Sequence, residues 1–225
     1  VIQLGEDPKR VFNVGGLGID SIDNIKLLSR SSIQKYLNLK FRSSNFLITY
    51  HPVTLDKSMS ISGVKELLKC LDKYENSTLI FTMPNADPEN KVIHRLIDDF
   101  VKERANAYSF ESLGQLKYLS LIQYCDAVIG NSSSGLLEVP YFKKATINIG
   151  NRQAGRLKAE SVIDTPAESD LIQKAINRIF SEEFHHILQN VVSPYGLPGA
   201  STRIMKKIKS LDLKSLLIKS FYDLS

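Results

Sequence analysis

Short apolar runs alternate with segments of helical periodicity along the chain, at least five times over 225 residues. The runs are continuously apolar, which is typical of strands that are buried on both faces of a sheet. This order of elements predicts an α/β fold, a Rossmann-like parallel sheet with helices on both faces. The predicted strands cover residues 11–14, 46–50, 78–81, 107–110, 127–129, 145–149 and 162–163. The predicted helices cover residues 21–39, 61–74, 90–104, 115–124, 135–142, 169–180, 200–208 and 213–221.

Composition argues against several functional classes. The 29 basic and 24 acidic residues give a net charge of +5, but they are interspersed, so we expect an anionic ligand rather than nucleic acid. No apolar run is long enough to span a bilayer, and we expect no membrane partner. Cys70 and Cys125 lie far apart in apolar segments, which predicts neither a metal site nor a disulfide and favours a cytoplasmic protein. The sequence begins at Val1, and we expect a piece of a longer protein.

One polar loop is the first candidate for a binding site. The predicted strand 127–129 runs into Gly130, Asn131 and three serines, Ser132–Ser134, and Glu138 follows one turn later. A strand that feeds a loop of small residues and then a helix is suited to phosphate, because backbone N–H groups and hydroxyls point outward as donors. The alternative is an ordinary polar turn with a helix cap.

Other polar clusters also follow strands directly. His51, Asn85, the loop 111–114 and Arg152 each come just after a predicted strand, as the serine loop does. In a parallel sheet ligands bind beyond the carboxyl ends of the strands, so these clusters predict one shared site.

Each of these residues also has a purely structural interpretation. Arg152 and Arg156 could clamp a phosphate or could be solvated, and Glu138 could bind ribose hydroxyls or stabilise a helix dipole. His51 could act as a proton donor or phosphate ligand, or could be a capped structural histidine. His94, His185 and His186 fall on predicted helices and are interpreted as surface residues. No carboxylate pair has a convincing placement for acid–base catalysis.

Three segments carry a family resemblance: His51–Thr54, the run from Gly130 to Val139, and the run from Asn148 to Arg156. With these motifs in this order, the chain resembles the UDP-N-acetylglucosamine 2-epimerases over nearly its whole length. It is most similar to the hydrolysing branch, which makes N-acetylmannosamine or a related sugar and UDP for sialic-acid-type biosynthesis.

The resemblance implies an architecture and a division of labour. The chain would correspond to the second domain of a glycosyltransferase-B-type fold, with an interdomain segment at 1–20, a nucleotide-binding domain at 21–211 and a closing helix at 212–225 that packs toward the first domain. That missing N-terminal domain would supply the catalytic carboxylates, so the isolated chain would be inactive. The resemblance also implies UDP-GlcNAc or a related UDP-sugar and UDP as ligands, no cofactor, and a homo-oligomer.

Carried over position by position, the resemblance implies a role for each site residue. Ser132 and Ser133 would hold the diphosphate, Glu138 the ribose hydroxyls, and Arg152 the phosphates or the sugar. His51 would face the diphosphate and the departing oxygen and assist as an acid. Asn85 would line the uridine side, and the main chain of Leu113 would lie against the base.

Two other functional classes stay open at this point. A nucleotide-sugar glycosyltransferase of the same fold would share the architecture and a ribose-binding glutamate. A non-catalytic nucleotide or nucleic-acid binding module is suggested by the basic residues of the two predicted C-terminal helices.

Overall fold

The computed structural model describes residues 1–52, 57–84, 91–212 and 220–224. Within them, parallel strands form one sheet in the order β3-β2-β1-β4-β5-β6. The predicted parallel α/β fold is therefore confirmed, and the strand order reverses between β1 and β4. The strands are β1 (Ser44–Thr49), β2 (Ser77–Thr82), β3 (Ala107–Phe110), β4 (Ala127–Gly130), β5 (Ala145–Ile149) and β6 (Val162–Thr165).

Helices connect most of the successive strands, and further helices precede the first strand and follow the last. They are α1 (Leu17–Asp23), α2 (Arg30–Leu37), α3 (Lys57–Leu71), α4 (Lys91–Lys102), α5 (Gly114–Tyr124), α6 (Ser134–Leu137), α7 (Ser169–Ile179), α8 (Glu182–Asn190) and α9 (Ala200–Lys209). None of the described helices is long and apolar enough to cross a membrane.

Alternate residues of each strand serve the two faces of the sheet, because side chains of a strand point in opposite directions in turn. In β1, Phe46 and Ile48 pack into the core formed with α3, α4 and α7. Leu47, between them, is fully buried outside that core, on the side covered by α2, α5 and α6. Burial on both faces explains why residues 46–48 of β1 form a continuous apolar run.

Some predicted elements were wrong. Residues 11–14 join no strand in the described chain, and the helix predicted over 21–39 is two helices, α1 and α2. The second begins anew because the Ser29 hydroxyl accepts the N–H of Ser32. Helix α8 was not predicted, although Ser181 caps it in the same way through Phe184. Of the helix predicted over 213–221, residues 213–219 lie outside the described residues.

The chain divides into two compact units, residues 25–194 and residues 1–24 with 195–225. The first holds the sheet. In the second, Asp20 accepts the N–H groups of Gly199, Ala200 and Ser201 and so caps α9. These bonds, above all that from Ser201, lower the pKa of Asp20 to about 2. The predicted domain boundaries divide the chain differently and stay a prediction.

Candidate functional site

The candidate site lies where the strand order reverses, at the carboxyl ends of β1 and β4. In doubly wound sheets this is where a crevice opens, because the connections on either side run to opposite faces. His51 follows β1, Asn131 follows β4, and Arg152 follows β5. Leu113 lies after β3 and directly precedes the first turn of α5.

Gly130 ends β4 at a point where a side chain would collide with the main chain of β1. Its φ is +136°, and a Cβ atom there would lie 1.9 Å from the carbonyl oxygen of Thr49. Only glycine accommodates both the left-handed backbone and the contact. The chain can therefore turn into the serine loop directly beside the end of β1.

Asn131 uses its side chain to extend the β1–β4 pairing by one residue. Its Oδ1 accepts the N–H of His51 and its Nδ2 donates to the carbonyl of His51, both at 2.7 Å. This pair of bonds is the one that a neighbouring strand would supply, after the main chain of β4 has turned away. Asn131 is only 1% exposed, so the arrangement fixes the backbone of His51.

The carbonyl oxygen of Asn131 anchors the loop that follows β5. Arg152 Nη1 donates to it at 3.0 Å, and Gln153 Nε2 donates to it at 2.8 Å. Gln153 is buried, whereas Arg152 and Arg156 belong to the exposed residues. A single residue thus links His51, the serine loop and Arg152.

Two backbone donors of the serine loop lack a partner among the described residues. The N–H groups of Ser132 and Ser133 have no acceptor in the part of the chain that the structure describes. Both residues are half-buried, so water or a ligand reaches them. Because α6 is a single turn, Ser134–Leu137, its dipole is small. An anion at this loop would therefore be bound mainly by these N–H groups and the serine hydroxyls.

Glu138 is tied to the same loop through two hydroxyl groups. Ser134 Oγ donates to Glu138 Oε2 at 2.5 Å, and the Tyr118 hydroxyl donates to Ser134 Oγ at 2.9 Å. Burial raises the pKa of Tyr118 to about 12, so its hydroxyl stays protonated near neutral pH.

A cavity of about 740 Å³ opens beside these residues, and its lining includes three of the predicted site residues, His51, Leu113 and Glu138. Ser132, Ser133 and Arg152 do not line it. Arg152 is bonded to Asn131, whose side chain holds His51. Ser132 Oγ accepts the N–H of Ser134, whose hydroxyl is bonded to Glu138. Asn85, the remaining predicted site residue, lies outside the described residues. The structure therefore brings six of the seven predicted residues to one edge of the sheet.

The environment of His51 favours its neutral form. Burial lowers the pKa of the imidazole, and the positive charge of Arg152 lowers it further. In turn, burial and then the charge of Arg156 lower the pKa of Arg152. A neutral imidazole carries one N–H donor and one acceptor nitrogen.

Sequence reasoning missed several residues of this site. The surface interpretation of His94 was wrong: it is half-buried, its Nε2 lies 3.0 Å from the carbonyl oxygen of Pro84, and it lines the cavity. His185 and His186 are exposed, as predicted. Asn131 stood in the motif without a role of its own, and Tyr118 showed only helical spacing. No group of three potential metal ligands occurs among the described residues.

This strand order, with polar loops gathered at its reversal, defines a doubly wound α/β protein with a candidate ligand site at the switch point. Residues 1–209 match the family model described as UDP-N-acetylglucosamine 2-epimerase, and the chain belongs to that family. The predicted resemblance is confirmed.

Curated relatives match the chain from end to end. It is 40% identical over 226 residues to "GDP/UDP-N,N'-diacetylbacillosamine 2-epimerase (hydrolyzing)" of Campylobacter jejuni, with 100% of this chain and 58% of that protein covered. It is 38% identical to "Polysialic acid biosynthesis protein P7" of Escherichia coli, covering 100% and 57%. The chain therefore spans somewhat over half the length of these relatives.

A solved structure shares the fold. The UDP-GlcNAc 2-epimerase of Neisseria meningitidis, determined with UDP-GlcNAc bound, superposes with a TM-score of 0.71 at 17% identity. The match covers 93% of this chain and 57% of that one.

Proposed function

We propose that the chain is the UDP-binding part of a hydrolysing UDP-N-acetylglucosamine 2-epimerase. The complete enzyme converts UDP-GlcNAc, or a close UDP-linked N-acyl sugar, to N-acetylmannosamine or its counterpart and UDP. Family membership favours this over the glycosyltransferase alternative. The names of the C. jejuni and E. coli relatives support a hydrolysing reaction and a place in the synthesis of sialic-acid-type sugars.

The observation that carries the proposal is the pair of N–H groups of Ser132 and Ser133, for which the described residues provide no acceptor, in the loop to which Arg152 is bonded. Buried or half-buried backbone N–H groups normally have an acceptor, so a pair that lacks one within the described part of the chain marks a place for a ligand. A diphosphate supplies anionic oxygens for both N–H groups and for the guanidinium, and such charge-assisted bonds are the stronger kind. The linkage through Asn131 keeps these donors at fixed positions.

The remaining residues take up the other parts of the nucleotide. Glu138 accepts hydrogen bonds from the ribose hydroxyls, because a carboxylate offers about four lone pairs and Ser134 occupies one. The main chain at Leu113 lies against the base within the cavity. Asn85 serves the uridine side.

His51 faces the diphosphate and the departing oxygen. In the free protein its pKa is lowered, and the imidazole is neutral at neutral pH. A bound diphosphate brings negative charge close to the ring and raises the pKa again, since an opposite charge favours the protonated form. The group then becomes able to donate a proton to the leaving oxygen just when UDP is in place.

The proposed reaction has two steps. Removal of the proton at C2 of the sugar expels UDP from C1 and leaves a glycal, a sugar with a double bond between C1 and C2. Water then adds across that bond: hydroxyl joins C1, and a proton returns to C2 on the opposite face. Carboxylates of the first domain move the C2 proton, and the chain described here stabilises the charge that builds on the diphosphate.

The test uses the full reading frame that encodes the chain, incubated with UDP-GlcNAc in D₂O. The proposal predicts free N-acetylmannosamine carrying deuterium at C2, together with one UDP per sugar. A UDP-linked epimer as the final product, or a sugar transferred to an added acceptor, would contradict it. Arg152→Ala should slow turnover strongly, since it removes the cation of the diphosphate site, and Arg203→Ala, a change in the other compact unit, is the control.

A further inference from the structure

A chain of hydroxyl groups leads from helix α5 to the carboxylate of Glu138. Tyr118 OH donates to Ser134 Oγ at 2.9 Å, and Ser134 Oγ donates to Glu138 Oε2 at 2.5 Å. Tyr118 and Glu138 both line the cavity, whereas Ser134 does not. The Tyr118 and Ser134 hydroxyl groups thus reach the Glu138 carboxylate through hydrogen bonds within the protein.

The direction of these bonds is fixed by the number of protons available. A serine hydroxyl has one proton, and the ionised carboxylate can only accept, so the Ser134 proton points to Glu138. The Ser134 oxygen must then accept from Tyr118, whose raised pKa keeps its proton in place. Each bond polarises the next in the same direction, and such bonds strengthen one another.

We infer that Tyr118 is a positioning residue that acts through Ser134 to hold the Glu138 carboxylate in the orientation that recognises the two ribose hydroxyls. This rests on the proposed function, which assigns Glu138 to the ribose. The inference adds a specific dependence: recognition of a ribonucleoside diphosphate over its deoxy counterpart depends on a phenol that need not touch the nucleotide.

The arrangement has a clear physical purpose. A free glutamate side chain samples several rotamers, and ordering it on binding costs part of the interaction energy. Ser134 sits four residues before Glu138, on the same face of one helical turn, and its hydroxyl is itself held by Tyr118. The carboxylate is therefore oriented before a ligand arrives, which reduces that cost.

The experiment compares two ligands in calorimetric titrations: UDP and 2′,3′-dideoxy-UDP, which lacks both ribose hydroxyls. Tyr118→Phe should weaken UDP binding about five- to tenfold, the loss expected for one hydrogen bond. It should leave dideoxy-UDP binding within about twofold, because that ligand makes no bond with Glu138. The preference of the wild-type chain for UDP over dideoxy-UDP should shrink accordingly.

Two further variants separate positioning from general damage. Tyr124→Phe removes another hydroxyl from the same helix, one that donates to the carbonyl of Leu28, and should leave both affinities unchanged. Ser134→Ala should reproduce the selectivity loss of Tyr118→Phe, and the double variant should lose little more. Ser134→Thr keeps a hydroxyl and should restore much of the preference.

The outcomes distinguish this inference from the function on which it rests. If Tyr118→Phe weakens both ligands equally, or neither, Tyr118 does not act on ribose recognition and the inference fails while UDP binding stands. If the wild-type chain binds UDP and dideoxy-UDP equally, Glu138 does not read the ribose, and both the inference and that residue assignment fail. If it binds neither, the proposed function itself fails.

Discussion

Replacing Asn131 by alanine should damage both the stability of the sheet and the proposed nucleotide site. The substitution removes two bonds of 2.7 Å and leaves the N–H and the carbonyl of His51 without their partner. His51 is half-buried, so water recovers part of the loss. At about 1–2 kcal/mol for each bond, the free energy of unfolding should fall by about 2–4 kcal/mol.

The control for this variant is Asn106→Ala. Asn106 is also a buried asparagine, and its Nδ2 donates to two main-chain carbonyls, those of Tyr74 and Ser77. It lies at the amino-terminal edge of the sheet, away from the candidate site. Its replacement should lower the free energy of unfolding by a similar amount. Urea unfolding measures the free energy of unfolding of both variants, and the m-value should not change.

UDP titration separates them. Asn131→Ala should weaken UDP binding at least about tenfold, because it removes the hydrogen bonds that hold His51 beside the serine loop. Asn106→Ala should change UDP affinity by no more than about twofold. The reasoning is refuted if Asn131→Ala binds UDP as the wild type does, or if its unfolding free energy changes by less than about 0.5 kcal/mol.

Three further predictions concern single residues. Gly130→Ala should cost more than about 3 kcal/mol in urea unfolding, because its Cβ would overlap the Thr49 carbonyl; Gly155→Ala, also at positive φ but with open space around it, should cost about 1 kcal/mol. Asp20 has a folded pKa of about 2 against 3.8 unfolded, so its stabilisation is complete above pH 3.8 and is lost as pH falls toward 2. Asp20→Asn should therefore speed amide exchange at Ser201 at neutral pH, and an unchanged rate would contradict the capping role. UDP-GlcNAc binding should strengthen as pH falls from 8 toward 6, because the ligand raises the lowered pKa of His51, and His51→Gln should abolish that slope.

The alternation of apolar runs and helical segments was enough to predict the sheet. Runs such as residues 46–48 are too uniformly apolar for a sheet with one solvent-exposed face, and covering both faces favours parallel strands with helical connections. Once the strands are parallel, His51, Arg152 and the serine loop must share an edge. That part of the site follows from local pattern and topology alone.

The remainder depends on contacts between distant residues. Asn131 and His51 are 80 positions apart, and nothing in the local sequence of either indicates that the amide replaces a strand. Tyr118 reads as an ordinary helix residue until Ser134 is placed beside it. The break between α1 and α2 was missed because periodicity continues across it, while the cap at Ser29 decides the boundary.

The most direct test of the account follows the amide signals of the chain by NMR during titration with UDP. We expect saturable shifts at Ser132 and Ser133, whose N–H groups take up the diphosphate in the proposed complex, with smaller shifts at Glu138 and Leu113. Signals that do not move at millimolar UDP, or shifts confined to the opposite edge of the sheet near Asn106, would contradict it.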